Sequence, residues 1–441
     1  MKYALGNMLN GAGGLNADQL ALDLPFAVTK SLTAAKGPTP VLTRGSSATF
    51  VGSNGLIQSA GNNIARFDHD PVTLASRGLL IEEGRTNLSL YSGALVSTIG
   101  WGVSATTSIV DGLGPDGNNA YRITETTATA PHTFGNSGGI TASGSTSVVL
   151  GTVYTGSIFI KKVSGNIDWI QVTLGSGGFG TVQYANFNIG NGTVGNSAGL
   201  ASGTSPRIED YGNGWYRCSI SVAATTTTTA SLGTIIGFIQ NTNGTTRLPS
   251  YAGSTSNSVL ASLCQFEAGS FATSYIPTTT SALARSADVC SITGANFTSF
   301  WNNNEGTVFA SGDPRGTSAS IATYLMANSG ANANQVSIYR NTTTNFHGVA
   351  NSGSYTANIS ASAANGSFNK IAGSYITNDA RAAFNNVLGT PDTSVIVPTN
   401  LTRLNIGSSG TANSEFANGC ISAIRYYKKS LSNAKLQALT A

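Results

Sequence analysis

Charge is what this sequence has least of. Only 10% of its 441 residues are charged, 23 Lys and Arg against 19 Asp and Glu, where a typical chain carries roughly 25%. Solvent-facing helices are coated with Glu, Lys, Arg and Gln, so the scarcity excludes long helices of that kind. The net charge of +4 is made of few charges and contains no basic run. Nucleic acid therefore finds no electrostatic footing. The four cysteines (Cys218, Cys264, Cys290, Cys420) lie far apart and form no Cys-x-x-Cys pair, which excludes the zinc and redox motifs. They read as free buried thiols. The three histidines (His69, His132, His347) lack ligand spacing. No stretch approaches 18 uninterrupted apolar residues, so no membrane span is expected. The first twenty residues, "MKYALGNMLNGAGGLNADQL", have one Lys and no apolar h-region, unlike a secretory signal.

What is present favours strands. Residues are 40% hydrophobic, Gly numbers 53, and Ser, Thr and Asn fill much of the rest. Small polar side chains between apolar ones, with Gly and Asn at turns, suit β-structure. "SSATFVGSNGLIQSA" reads as two strands around Ser53–Gly55. "VVLGTVYTGSIFIKKV", "TVQYANFNIGNGTVG" and "TIIGFIQ" continue the pattern. "GWYRCSISVAA" sets Trp215, Arg217 and Ser219 against Tyr216, Cys218 and Ile220. Such alternation predicts an all-β chain of two antiparallel β-sandwich (jelly-roll) domains. An N-terminal attachment segment and joint spans 1–92. The first sandwich spans 93–277, a linker broken by Pro277 spans 278–289, and the second sandwich spans 290–441. Ser432 is placed as N-cap of one short C-terminal helix seated by Leu431, Leu436 and Leu439.

Several motifs resemble catalytic signatures without their context. "GLGPDG" (112–117) matches G-x-G-x-x-G, but Pro115-Asp116-Gly117 makes a turn before the strand "NNAYRIT". "GNSGG" (135–139) and "GNSAG" (195–199) match G-x-S-x-G with no strand-turn-helix around them, and read as loops. No catalytic, cofactor-binding or metal-ligating residue is assigned, and no cofactor is expected.

Charges crowd into one segment, "RFDHDPVTLASRGLLIEEGRTNLSLYS" (66–92). Asp68 and Asp70 share a face if extended, but Pro71 turns the chain away from a metal site. Glu82 and Glu83 are adjacent, so on a strand they point apart and cannot serve as a glycosidase pair. Ion pairs with Arg66, Arg77 or Arg85 are the expected use. Arg66, Asp68, Asp70, Glu82, Glu83 and Arg85 are therefore assigned to a structural joint. The candidates for sugar contact are Trp101, Trp169 and Trp301, whereas Trp215 reads as core. No pair of them has a spacing that specifies a sugar site.

The segment from Thr43 to Leu88 resembles one found in tail and virion proteins of bacteriophages and prophages. It carries "LTRGSSATF", "RFDHDP" and "GLLIEEGRTNL", with Phe50 where Tyr is usual. "YTGSIFIKK", "DYGNGWYRCSIS" and "FATSYIPTTTSALARSADV" are similar to that family's carbohydrate-binding-module-like jelly roll and its exit linker. From "NFTSFWNNNEGTVFASG" to "LSNAKLQALT" the chain resembles a concanavalin A/laminin-G-like domain. There Asn433 and Lys435 replace acidic residues and remove a capping box. The resemblance covers about 90% of the chain, from about Thr43 onward, and carries no catalytic residues. It implies a virion structural protein, a fibre or appendage, docked on other virion proteins by its N-terminal segment. It further implies a homo-oligomer, a trimer for a fibre, with host-surface polysaccharide as ligand and the virion as location. A cytoplasmic product used outside the cell also fits the missing export signal and missing disulfides. Two alternatives stay open: a capsid or collar decoration protein without a receptor, and a polysaccharide-degrading enzyme.

Overall fold

Strands make up 50% of the described residues and helices 6%. The computed structural model describes residues 19–96, 101–135, 147–230, 232–240, 242–314, 321–341, 343–362, 368–410 and 415–441. The fold is all-β, as composition and alternation predict. Every strand ladder among the described residues is antiparallel. No helix among them is long and apolar enough to cross a membrane.

The first sandwich pairs two six-stranded sheets. One runs in the order Arg207–Asp210, Trp215–Ala223, Val153–Ser164, Ser258–Ala268, Asn119–Glu125, Thr106–Leu113. The other runs Thr193–Ala198, Tyr184–Asn188, Trp169–Leu174, Thr234–Phe238, Thr133–Gly135, Gly102–Ser104. Alternate residues such as Ile158, Ile160, Ile170, Val172, Cys218, Ile220 and Phe266 meet between the sheets as one core. Burial of each such side chain contributes about 1.5–3 kcal/mol before the entropy of ordering is subtracted.

The second sandwich is not confined to the C-terminal residues. Its eight-stranded sheet centres on Gly419–Tyr427, flanked by Glu305–Pro314 on one side. On the other side lie Ser76–Ile81, then Phe67–His69, with Leu20–Leu24 on the same central strand. The seven-stranded sheet begins with Val41–Thr43 beside Val289–Thr293 and ends with Thr344–Asn351 and Ser354–Ser362. Leu22, Leu24, Leu79 and Ile81 join Ile292, Val308, Ile338 and Ile421 in one core. The expected division at residue 92 is thus corrected. Residues 20–81 supply strands to both sheets of this sandwich, because they carry the apolar faces that close its core. The first sandwich is inserted between them.

The expected linker is also partly strand: Leu283–Arg285 pairs with Arg85–Asn87. The C-terminal helix forms over Asn433–Thr440 with Ser432 at its N-cap position, although the serine side chain makes no capping bond. Leu431, Leu436 and Leu439 seat it on the outer face of the eight-stranded sheet, against Phe309 and Tyr427.

Candidate functional site

The hairpin Ala48–Val51 and Ile57–Ala60 forms as its turn signals predict. It lies on the outer face of the first sandwich rather than on the second alone. Ile57 packs with Phe159, Trp215, Leu260 and Tyr275 in a small apolar cluster outside the main core. Trp215 is therefore buried, but between the sandwiches. Beside this cluster the outer face is polar and still closed to water. Thr155 Oγ1 and Ser221 Oγ share a 2.7 Å hydrogen bond, Ser221 Oγ donates to Ser270 O, and Arg217 Nη2 donates to Ser157 Oγ at 2.9 Å. The residues 269–278 that leave the first sandwich cover it.

At the centre of this seam sit three buried arginines, Arg44, Arg66 and Arg285, with Glu82 and Asp288. Arg66 is 0% exposed. Its Nη1 donates to Glu82 Oε2 at 2.8 Å and to Thr49 O at 2.8 Å, and its Nη2 donates to Asp288 Oδ2. Arg44 Nη1 reaches the other oxygen of Asp288 at 2.9 Å, and Arg285 pairs with Glu82. Ser274 closes the ring, its backbone N–H donating to Glu82 Oε1 at 2.7 Å and its hydroxyl to Oε2 at 2.6 Å. Burial alone raises the pKa of Glu82. The guanidiniums of Arg285 and Arg66 and the two Ser274 bonds outweigh it and hold the carboxyl well below the usual carboxylate range. Burial likewise works against the charged form of Arg66, and Asp288 with Glu82 outweighs it.

The adjacent Glu83 points the other way, toward Arg85 and the Asn418 side chain. Arg85 lies over the Phe271 ring at 4.8 Å and donates to Ala268 O. Gly269, at φ +127°, leaves the space that the Arg85 guanidinium fills. Asp68 is buried and accepts from Val51 N at 2.7 Å. Asp70 instead caps the turn after it through Val72 N and Thr73 N and pairs with Arg77. Asp68 and Asp70 thus do not converge. Among the described residues no group of three or more His, Cys, Asp or Glu is placed to hold a metal ion.

Arg44, Arg285 and Asp288 were not assigned to the joint from sequence. Arg44 is an isolated charge in a stretch of small residues, and Arg285 and Asp288 stand three apart in another, with nothing local that ties them to Arg66 or Glu82. The segment 195–199 lies largely in the strand Thr193–Ala198 rather than in a loop. Residues 136–139 of the other G-x-S-x-G match fall outside the described residues. All four thiols are buried, and burial pushes that of Cys264 up to about 11.

The expectation for the tryptophans needs correction. Trp101 is 2% exposed and stacks on Phe134 at 5.2 Å inside the first core. Trp301 is buried in an aromatic cluster with Phe297, Tyr375 and Tyr426. Flanking glycine and asparagine residues suggested exposure, but the rings were drawn into cores. Trp169 alone stays half-buried, packed over Gly195. A row of aromatic side chains lies on the seven-stranded sheet, buried at Tyr339, half-buried at Phe346 and exposed at Tyr355. Tyr339 and Phe346, register partners, stack at 4.8 Å and 9°, and Tyr355 joins them at 6.2 Å with 45% of its surface exposed. Gly348 leaves room for the Tyr355 ring, since a Cβ there would approach it to 2.7 Å. Tyr355 also accepts from Gln335, and Tyr339 donates to Asn358, both at 2.9 Å.

No family model matches the chain, and no curated protein matches it. Among solved structures it is similar to the CBM40 of a Ruminococcus gnavus IT-sialidase bound to alpha2,3 sialyllactose (14% identity, 31% of this chain, 83% of that one, TM-score 0.26). The NanB sialidase of Streptococcus pneumoniae is similar at 15% identity over 34% of this chain and 26% of that one, TM-score 0.29. A SAP-like pentraxin from Limulus polyphemus is similar at 13% over 31% and 70%, TM-score 0.26.

Proposed function

We propose that the chain is a structural protein of a bacteriophage particle, a fibre or appendage that projects from it and engages host-surface polysaccharide. The observation that carries the reading is the charged seam. The phage-like segment from Thr43 to Leu88 supplies Arg44, Arg66 and Glu82, and the exit segment supplies Ser274, Arg285 and Asp288. Two sandwiches fixed to each other by a fully buried ion network suit a projecting strut better than a flexible tether. The exposed Tyr355 and its neighbours provide an aromatic surface of the kind sugars use. In this reading the N-terminal residues dock on other virion proteins. The particle carries a homotrimer, whose multivalency raises a weak single-site affinity. The protein has no catalytic task of its own.

A glycan array probed with purified protein, together with a reconstruction of the particle, tests this. Signal on host surface polysaccharide and density for the chain on a projecting appendage are expected. Density on the capsid shell with a silent array would establish the decoration protein instead. Release of reducing ends from a bound polysaccharide would establish the enzyme.

A further inference from the structure

Four turns meet where the two sandwiches abut, and between them lies a cleft of about 480 Å³. That volume falls within the roughly 300–1,000 Å³ of small-molecule sites. One side is walled by Leu56, Val72 and Leu74, the other by Leu113 and Pro115. Val72, Leu74 and Leu113 are among the large apolar side chains that the fold leaves exposed. The floor is Lys161 with its register partner Trp215, on the outer face of the first sandwich. Among the described residues lining the cleft, Lys161 is the one with a charge. Its stem runs over Gly214, where an added Cβ would stand 3.7 Å from Lys161 Cε. Its ammonium has no ion-pair or hydrogen-bond partner among the described residues, whereas the next residue, Lys162, pairs with Asp168 at 2.6 Å. The carboxylates beside the lining turns are already engaged, Asp70 by Arg77 and Asp116 by Asn118.

An uncompensated cation at the base of a concave, largely apolar site favours a ligand with one negative charge. The walls add two amides. Asn54 Oδ1 accepts from Leu56 N and Gln58 Nε2, both at 3.1 Å, which leaves its amide N–H groups to donate, and Asn213 is exposed. Apart from Leu113, at the end of its strand, the walls are turns, and the floor comes from strands paired on both sides. Such a site presents no free ladder to the backbone of a peptide. A compact ring needs none. We propose that this cleft binds one acidic pyranose of a host polysaccharide. Its carboxylate pairs with Lys161, its hydroxyls bond the amides of Asn54 and Asn213, and its C–H surface packs on Val72, Leu74 and Leu113. This assignment rests on the glycan-binding reading and adds the place and the charge of the ligand.

The test uses the full chain and saturation-transfer NMR titrations with methyl glycosides of glucuronic, galacturonic and N-acetylneuraminic acid. The carboxamide of each serves as its neutral isostere, and a capped Leu-Glu-Leu peptide stands for a protein partner. At least one acid should bind, and its carboxamide should bind about tenfold or more weakly, the size of one charge-assisted hydrogen bond. Lys161→Gln should bring the acid down to the level of its carboxamide. Val72→Trp, at an exposed position outside the core, should fill the cleft and abolish binding. It decides the matter alone if Lys161→Gln does not fold. Binding of an acid that survives either substitution unchanged overturns this site and leaves the glycan reading standing. So do carboxamides bound as tightly as the acids, and silence toward every probe with signal on the polysaccharide array. Binding of the peptide in place of the sugars overturns it too and makes the cleft a protein-docking site. Silence of the wild-type chain toward every probe and on the array overturns both.

Discussion

The interior of either sandwich and the centre of the seam between them are both buried, yet they are built from different material. Each interior is a close-packed layer of Ile, Val, Leu and aromatic side chains. The seam is built from hydroxyls, amides and a ring of arginines and carboxylates, with only a small apolar cluster beside it. A dry core is non-directional and tolerates repacking of similar volume. A buried ionic ring is satisfied in one arrangement only, and any lost partner strands a charge. The cores therefore hold each sandwich together, while the seam sets how one sandwich sits on the other.

The largest break in that comparison is Glu82→Gln. It keeps the shape but leaves Arg66 and Arg285 short of a counter-charge, at a cost of about 3–5 kcal/mol in chemical denaturation. Ile220→Val in the first core should cost only about 0.5–1.5 kcal/mol. Equal losses for the two would remove the distinction. Acid sharpens the contrast from the other side, because the second core holds one buried imidazole. Burial pushes the pKa of His347 down to about 4. The unfolded chain, with an ordinary value of about 6.5, binds that proton first. The contribution of this group is therefore full above about pH 6.5 and falls by about 1.4 kcal/mol per pH unit down to about pH 4. The melting temperature of His347→Gln should lack that slope. Glu82, held low, keeps its contribution until the pH drops below the ordinary carboxylate range, about 4.3. Arg85→Ala, at the partly exposed rim of the seam, should lose about 1–2 kcal/mol of denaturation free energy and loosen residues 268–271 in hydrogen exchange. The smallest effect belongs to Arg122→Ala. That surface pair with Asp111 is over a third exposed on both sides and is worth about 0.2–1 kcal/mol.

Much of this was legible from local pattern. The alternation through Trp215–Ala223 gives both faces of that strand correctly, Cys218 and Ile220 inward, Arg217 and Ser219 outward. Adjacency alone sends Glu82 and Glu83 apart. What stayed hidden depends on register between distant strands, which leaves no local mark. Nothing in "LALDL" announces a pairing with Gly419–Tyr427. Outward Ser157, Ser219 and Ser221 look like a solvent face and are buried because another segment lies over them. Tyr339, Phe346 and Tyr355 stand seven and nine residues apart, a spacing that means nothing until three strands are aligned.

The order in which this chain leaves the ribosome matters for that reason. Leu20 must wait for Tyr427, its register partner. At synthesis rates of about 5–20 residues per second, the wait is on the order of 20–80 s. The inserted sandwich closes on itself long before. Leu20–Leu24 and Val41–Thr43, whose partners lie far downstream, spend their wait as unpaired strands, the state in which chains most readily pair with a wrong neighbour. The hydroxyl-rich composition of residues 20–81 and the arginines among them suit a segment that must stay soluble while its partners are still being made.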